Sequence, residues 1–323
     1  MWRNDDVVGA RSWEAALDEH ERRVIVDAAE RAREHGYDAL TISREAFALP
    51  GLEMRLGEWE HALSRGRGFL LIHGFPVDLL DDAATELAYV GLGTHLGRPV
   101  GQNAAGDRLT HIRDERLPPG PGKVRLYRTR ERQDFHTDGA DLIGLLCLHR
   151  AHSGGQSRIV SSHAIYNEML RTRPDLIDVL YEPFWWDRQD EQAPGESPWF
   201  VLPPLNDVPP HAVDRVPRLF YIGWYLRDAQ RHPEVPRLTP QQLEAMAMIE
   251  QFANDPTFHL EMDFVPGDVQ LLNNGVILHA REAYEDDDDP ALRRHLLRLW
   301  LAAHSFTSVA DGLRSGMGPA NGS

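Results

Sequence analysis

Cysteine is almost missing from this 323-residue chain, which has only Cys147. That excludes an intramolecular disulfide and any zinc or iron–sulfur site built on cysteines. Positive charge is scarce too: Lys and Arg total 34 against 50 Asp and Glu, a formal net charge of −16. Such a surface repels phosphate backbones and anionic membranes, and no basic stripe offsets it, so neither nucleic acid nor membrane is expected as a partner. No apolar run comes near the roughly 18 residues that a membrane helix needs. Met1-Trp-Arg-Asn-Asp-Asp lacks a cationic stretch followed by an apolar one, so the expectation is no secretory signal and a soluble, cytoplasmic protein. Glycine (26) and proline (22) are near average usage, which removes the collagen-like and low-complexity classes.

What is there is the composition of a folded chain, 42% hydrophobic and 26% charged, long enough for one large domain or two. The first part reads as helical. Ser12 can cap a stretch through Trp13, Ala16, Leu17, His20, Val24 and Ala28, and a second helix fits Glu53 to Ser64. Gly68-Phe-Leu-Leu-Ile-His-Gly74 is a short apolar run between glycines, a buried strand, and Asp81 or Asp82 can cap a helix ending near Gly97. From about residue 120 short strands take over: Lys123–Arg128, Leu142–His149, Ser157–Ser161, Leu219–Leu226, Phe258–Phe264, Val269–Leu272, Val276–Ala280 and Arg294–Ala302. Thr239-Pro240-Gln241-Gln242 opens a helix reaching about Ala253, with a cap, a first-turn proline and a capping-box glutamine. Many short strands with Gly/Pro turns predict a sandwich or barrel with the helices outside it.

Three His-x-acid pairs occur, about as many as composition alone gives: His136/Asp138, His232/Glu234 and His259/Glu261. On a strand, residues two apart share a face, so an imidazole and a carboxylate can converge on one metal. His232-Pro-Glu234 lies in a Pro-rich loop. His259 and Glu261 fall on the polar face of an alternating strand, most simply a solvated face. His136-Thr-Asp138 instead precedes the apolar run from Leu142, at the mouth of a buried strand. His279 follows Val-Ile-Leu and by itself reads as a satisfied core histidine. Arg294 and Arg298 share one face of an apolar strand, where an unpaired guanidinium is costly, so together they suggest a carboxylate pocket.

These blocks, in this order, resemble the taurine dioxygenase and clavaminate synthase-like group of iron(II), 2-oxoglutarate-dependent oxygenases. The resemblance runs over roughly residues 66–303. It rests on Gly68-Phe-Leu-Leu-Ile-His-Gly-Phe-Pro76, Leu92-Gly-Thr-His-Leu-Gly97, Phe135-His-Thr-Asp138, Gly154-Gly-Gln-Ser157, Pro266-Gly-Asp268, Asn273-Asn274, His279 and the terminal Arg-rich strand. It implies a β-rich α+β fold, a double-stranded β-helix (jelly roll) spanning residues 66–323, with residues 1–65 as a helical extension packed on it. It implies iron held by His136, Asp138 and His279, with 2-oxoglutarate and O2 as cosubstrates.

By the same resemblance Arg294 anchors the far carboxylate of 2-oxoglutarate, Ser157 contacts it where the family often has Thr, and Arg298 binds an anionic group of the substrate. Tyr127 and Arg128, just before the His-x-Asp block, are candidates to line the substrate pocket. A carboxylate at Asp138 leaves no vacancy for halide, which favours hydroxylation over halogenation. The expected substrate is a small anionic metabolite, an amino acid or a derivative. Desaturation, cyclisation or rearrangement, or a non-catalytic binding protein on the same fold, are the alternatives. Phe184-Trp185-Trp186 falls where the family carries a lid, or is ordinary core. The acidic run Glu285 to Asp289 reads as solvated surface.

Overall fold

The computed structural model describes residues 1–103, 105–117, 125–206 and 217–305. In chain order the first elements are α1 (Asn4–Val8), β1 (Glu14–Ala16), α2 (Glu19–Glu34), α3 (Glu53–Ser64), β2 (Phe69–His73), α4 (Asp82–Thr94), β3 (Gly97–Pro99) and β4 (Leu109–Ile112). Then come β5 (Gln133–His136), β6 (Leu142–His149), β7 (Ser153–Gly154), β8 (Ser157–Ser161), α5 (Ser162–Thr172), α6 (Pro174–Leu180), β9 (Phe184–Asp187), β10 (Trp199–Leu202), β11 (Leu205–Asn206) and β12 (Arg218–Leu219). The chain continues through α7 (Gly223–Ala229), α8 (Pro240–Asn254), β13 (His259–Met262), β14 (Val269–Asn273), β15 (Ile277–Arg281), β16 (Tyr284–Glu285) and β17 (His295–Ala303).

Among the described residues two sheets face each other as a jelly roll. The larger runs β1-β2-β14-β6-β17-β3, with β4 also on β17; the smaller runs β13-β8-β15-β5. Strand alternation divides the apolar side chains into three layers. Leu70, Ile72, Leu297, Leu299 and Leu301 pack outward with residues of α2, α3 and α4. Phe135, Val160 and Leu278 pack outward from the small sheet with residues of α5, α6, α7 and α8. Phe69, Leu71, Ile143, Ile159, Ile277, Leu296 and Trp300 fill the space between the sheets. So β17 turns leucines to the helices and Leu296, Arg298 and Trp300 to the interior.

Local signals placed several elements as expected, including α3, β6, β8 and the capping box of Thr239 and Gln242 on α8. Four expectations need correction. The single helix expected after Ser12 is instead β1 and α2, with the short α1 before it. Glu14–Ala16 is extended and pairs in parallel with Leu71–His73, and Asp18 with Glu21 forms the capping box that starts α2. Residues 1–65 thus add a strand to the larger sheet as well as helices over it. The strand expected at Leu219–Leu226 shrinks to Arg218–Leu219, because Gly223–Ala229 coils into α7 and buries Tyr225 and Leu226. Leu126–Arg128 is a 3-10 turn rather than a strand end, while Lys123 and Val124 lie outside the described residues. His259 is buried, with Nδ1 3.0 Å from the Ala253 carbonyl, and only Glu261 of that pair faces solvent. Phe184 and Trp186 are core side chains of the β9–β10 hairpin.

Candidate metal centre and its cavity

His136 ends β5 and His279 lies directly opposite it on β15, their rings 4.2 Å apart. The chain then turns out of β5, and Asp138 sits two residues on, before β6 begins. Asn274, just after β14, fixes that turn. Its side-chain oxygen accepts from the Asp138 N–H (2.8 Å), and its amide donates to the carbonyls of Asp138 (2.5 Å) and Ala140 (2.9 Å). The result brings one ligand atom each from His136, Asp138 and His279 within 4.8 Å of one another, all three residues buried.

The hydrogen bonds select the ligating tautomer at His136. Nδ1 donates to the Asp134 carbonyl (2.8 Å), leaving Nε2 as an acceptor that the Gln133 amide approaches to 3.1 Å. His279 turns Nε2 to Asp138 Oδ2 (3.6 Å). Burial, then the neighbouring His136, pulls His279 down to about 3, and burial also lowers His136. Burial pushes Asp138 up, but Arg298, both histidines and the Trp300 indole outweigh it and hold the carboxyl below its usual value. Two neutral imidazoles and one carboxylate, converging from one side, form the donor set of a non-haem iron(II) centre with open positions opposite, so the residues fit that metal.

Arg298 packs between the rings of Tyr127 (5.0 Å) and Trp300 (4.9 Å). Its Nε donates to Gln102 Oε1 (2.7 Å) and its Nη1 lies 3.5 Å from Asp138 Oδ2, while Nη2 is buried without a partner. Asp138 therefore offsets part of the cost of burying this cation. Trp300 Nε1 also donates to Asp138 Oδ2 (3.1 Å). These groups open on a cavity of about 360 Å³ whose further wall includes Arg125, Gln189, Glu191, Trp224, Tyr225 and Asp228. That volume suits a small-molecule ligand.

Arg294 lines a different cavity, of about 320 Å³, with Cys147, Arg150, Gly155, Gln156 and Asp263. Burial raises the Cys147 thiol to about 12, so it stays protonated there. Gly155 has φ +77, and a Cβ on it would stand 3.1 Å from Arg294 Nε, which explains a glycine at that place in the Gly154-Gly-Gln-Ser157 block. Arg294 Nη1 is buried without a partner, an orphaned donor suited to a carboxylate. Ser157 exchanges hydrogen bonds with the Gln270 amide (3.1 and 3.2 Å). Asp286 is half-buried rather than solvated, and its Oδ1 accepts from the Arg294 backbone N–H (2.8 Å).

The structure brings Tyr127 to the metal cavity but not Arg128, which is held by Glu115 (Nε 2.8 Å) at the partly exposed surface. The 3-10 turn points the two neighbours apart. Arg125 takes the place expected of Arg128, paired with Glu191 across the cavity wall. Sequence reasoning missed Gln102, Trp300 and the work of Asn274. Asn273-Asn274 between two apolar strands was a legible turn, but Gln102 carried no local signal.

The family model for taurine catabolism dioxygenase TauD, TfdA matches residues 36–300. FR-33289 synthase of Streptomyces rubellomurinus is 31% identical over 313 residues, 93% of this chain and 88% of that protein. The taurine hydroxylase-like protein SAT17 of Stachybotrys chartarum is 30% identical over 307 residues, 92% of this chain and 77% of that one. Among solved structures, an asparagine oxygenase in complex with Fe(II), 2S,3S-3-hydroxyasparagine and succinate superposes with a TM-score of 0.69 at 17% identity, covering 90% of this chain and 93% of that one. The non-heme iron oxygenase OrfP with Fe and α-ketoglutaric acid gives 0.64 at 17% identity, with 90% and 94% covered.

Proposed function

The chain belongs to the taurine catabolism dioxygenase TauD, TfdA family and is an Fe(II)- and 2-oxoglutarate-dependent dioxygenase; from that premise we propose that it hydroxylates an unactivated C–H bond of a small anionic metabolite, an amino acid or an amino-acid derivative. The observation that carries the substrate reading is Arg298, a buried guanidinium at the metal cavity with one donor, Nη2, left without a partner. The 3-hydroxyasparagine held by the asparagine oxygenase supports a substrate of amino-acid size.

When bound, iron(II) and 2-oxoglutarate supply the oxidative chemistry, consuming O2 and releasing succinate and CO2. In this reading His136, Asp138 and His279 hold the metal, and Asn274 and the Asp134 carbonyl fix the orientation of two of them. Arg294 and Ser157 take the far carboxylate of the cosubstrate. Arg298, kept in place by Gln102, directs Nη2 at an anionic group of the substrate, and Tyr127 and Trp300 shield that pair from water. Trp224 and Tyr225 line the same cavity.

The test is a screen of amino acids and their N-acyl and sulfonated relatives, read by succinate formation and product mass. A product heavier by one oxygen from a carboxylate- or sulfonate-bearing compound is the expected result. Equal turnover of that compound and its ester or amide would overturn the role of Arg298.

A further inference from the structure

Among the described residues four arginines are buried: Arg158, Arg281, Arg294 and Arg298. Two have carboxylate partners, Arg158 with Glu282 and Arg298 with Asp138. The other two are neighbours. Arg281 and Arg294 are 6% and 5% exposed, and their guanidinium carbons lie 5.1 and 5.0 Å from the centre of the same ring, Tyr284. Among the described residues neither forms an ion pair. Arg281 Nη2 donates to the backbone carbonyls of Glu131 and Leu126, but its Nε and Nη1 are buried without partners, as is Nη1 of Arg294. Asp286, the acidic side chain beside Arg294, accepts from the backbone N–H of that residue instead of its guanidinium.

Asp286 near Arg294, and Asp114 and Glu131 near Arg281, favour these charges without pairing with the guanidinium groups. Two buried cations sharing one aromatic ring, with orphaned donors and no carboxylate in ion-pair contact among the described residues, are unfavourable unless an anion completes the set. Strand register shows where that anion belongs. Arg281 lies two residues beyond His279 on β15, hence on the same inward face, and directly opposite Ser157 on β8. We propose that Arg281 is a second cation of the cosubstrate pocket, so that the far carboxylate of 2-oxoglutarate is clasped between Arg281 and Arg294 with Tyr284 as the shared floor. This rests on the reading of Arg294 as the cosubstrate anchor. Arg281 on the four-stranded sheet and Arg294 just before β17 of the larger sheet would then hold one carboxylate between them, whereas a 2-oxo acid without it engages only the metal.

The experiment measures equilibrium binding, by calorimetry, to the Mn(II)-loaded full chain without O2. The probes are 2-oxoglutarate and 2-oxovalerate, which lacks the far carboxylate. The wild-type protein is expected to prefer 2-oxoglutarate strongly. Arg281→Gln is expected to weaken 2-oxoglutarate by about tenfold or more and 2-oxovalerate by less than about twofold. Arg281→Lys, which keeps the charge, is expected to retain most of the preference. Equal weakening of both probes by Arg281→Gln overturns the proposal, since it marks Arg281 as a brace for the carbonyls of Leu126 and Glu131 alone. Unchanged binding of both overturns it as well. Should Arg281→Gln fail to fold, Arg281→Lys decides: a preference kept within about threefold supports the proposal, and its collapse to no preference overturns it. Arg294→Ala serves as the reference. If that change leaves 2-oxoglutarate binding intact, the anchor reading itself has failed, a result distinct from failure at Arg281 alone.

Discussion

The two sheets of the barrel put different kinds of group into one interior. The four-stranded sheet supplies His136 and His279, imidazoles that burial keeps neutral, and the Ser157 hydroxyl. The seven-stranded sheet supplies Arg298 with the Trp300 indole at one cavity; Arg294, just before β17, faces the other. Asp138 stands on the step between them, after β5 and before β6. The division has a physical sense. A metal needs lone pairs, and the charge of Arg298 across the gap disfavours protonating either histidine. The same guanidinium holds Asp138 ionised, so one cation prepares all three ligands. Arg281 is the exception, a cation on the four-stranded sheet placed beyond the ligands where another anion can meet it.

The sharpest break in this division is on the four-stranded side. His279→Ala is expected to abolish iron-dependent succinate formation and Mn(II) binding while the far-ultraviolet circular dichroism stays as in the wild type. Turnover that survives would remove His279 from the ligand set. On the other side Arg294→Ala should raise the 2-oxoglutarate requirement about ten- to a hundredfold, the loss of a charge-assisted bond of roughly 1.5–3 kcal/mol. The substrate requirement should change little. An unchanged 2-oxoglutarate titration would move the anchor role to Arg298.

The step between the sheets is tested by Asn274→Ala, which deletes the three hydrogen bonds that hold the Asp138 turn. Metal affinity, measured by competition with a chelator, should fall about tenfold, as when other outer partners of metal ligands are removed. An unaltered affinity would show that the turn holds itself.

The smallest effect concerns stability. Burial holds His295 on β17 and His163 on α5 each down to about 4, below the ordinary 6.5. Both are neutral in the fold, and protonation favours the unfolded chain. Their contribution is complete above pH 6.5 and is lost as pH falls from 6.5 toward 4. The melting temperature should be flat above pH 7 and decline below 6.5. His163→Asn and His295→Asn should each flatten part of that decline, and a slope identical in both variants would assign it to other groups.

Much of this was legible along the chain. Caps at Asp81 and Thr239, the apolar run of β17 with Arg294 and Arg298 four apart, and the His136-Thr-Asp138 spacing are local, and local chemistry fixes them. The parallel pairing of Glu14–Ala16 was not, because an isolated three-residue stretch that continues a helical spacing becomes a strand only when β2 offers it an edge. Arg128 was misjudged for a similar reason. Adjacent residues in a 3-10 turn point in different directions, and the turn itself had no marker in Leu126-Tyr-Arg128.

The sequence by itself determined the residue types and many of the elements: which strands are apolar, where α3, α4 and α8 start, and that two arginines would face inward from one strand. Tertiary structure decided which partners they meet. Gln102 reaches Arg298 across 196 positions, Asn274 holds Asp138 across 136, and Arg281 shares Tyr284 with Arg294 rather than finding a carboxylate. Such contacts depend on how two sheets register and how far apart they stand. Register is set by the sum of all the packing between them, and a shift of one residue on a strand would turn each of these side chains to the opposite face.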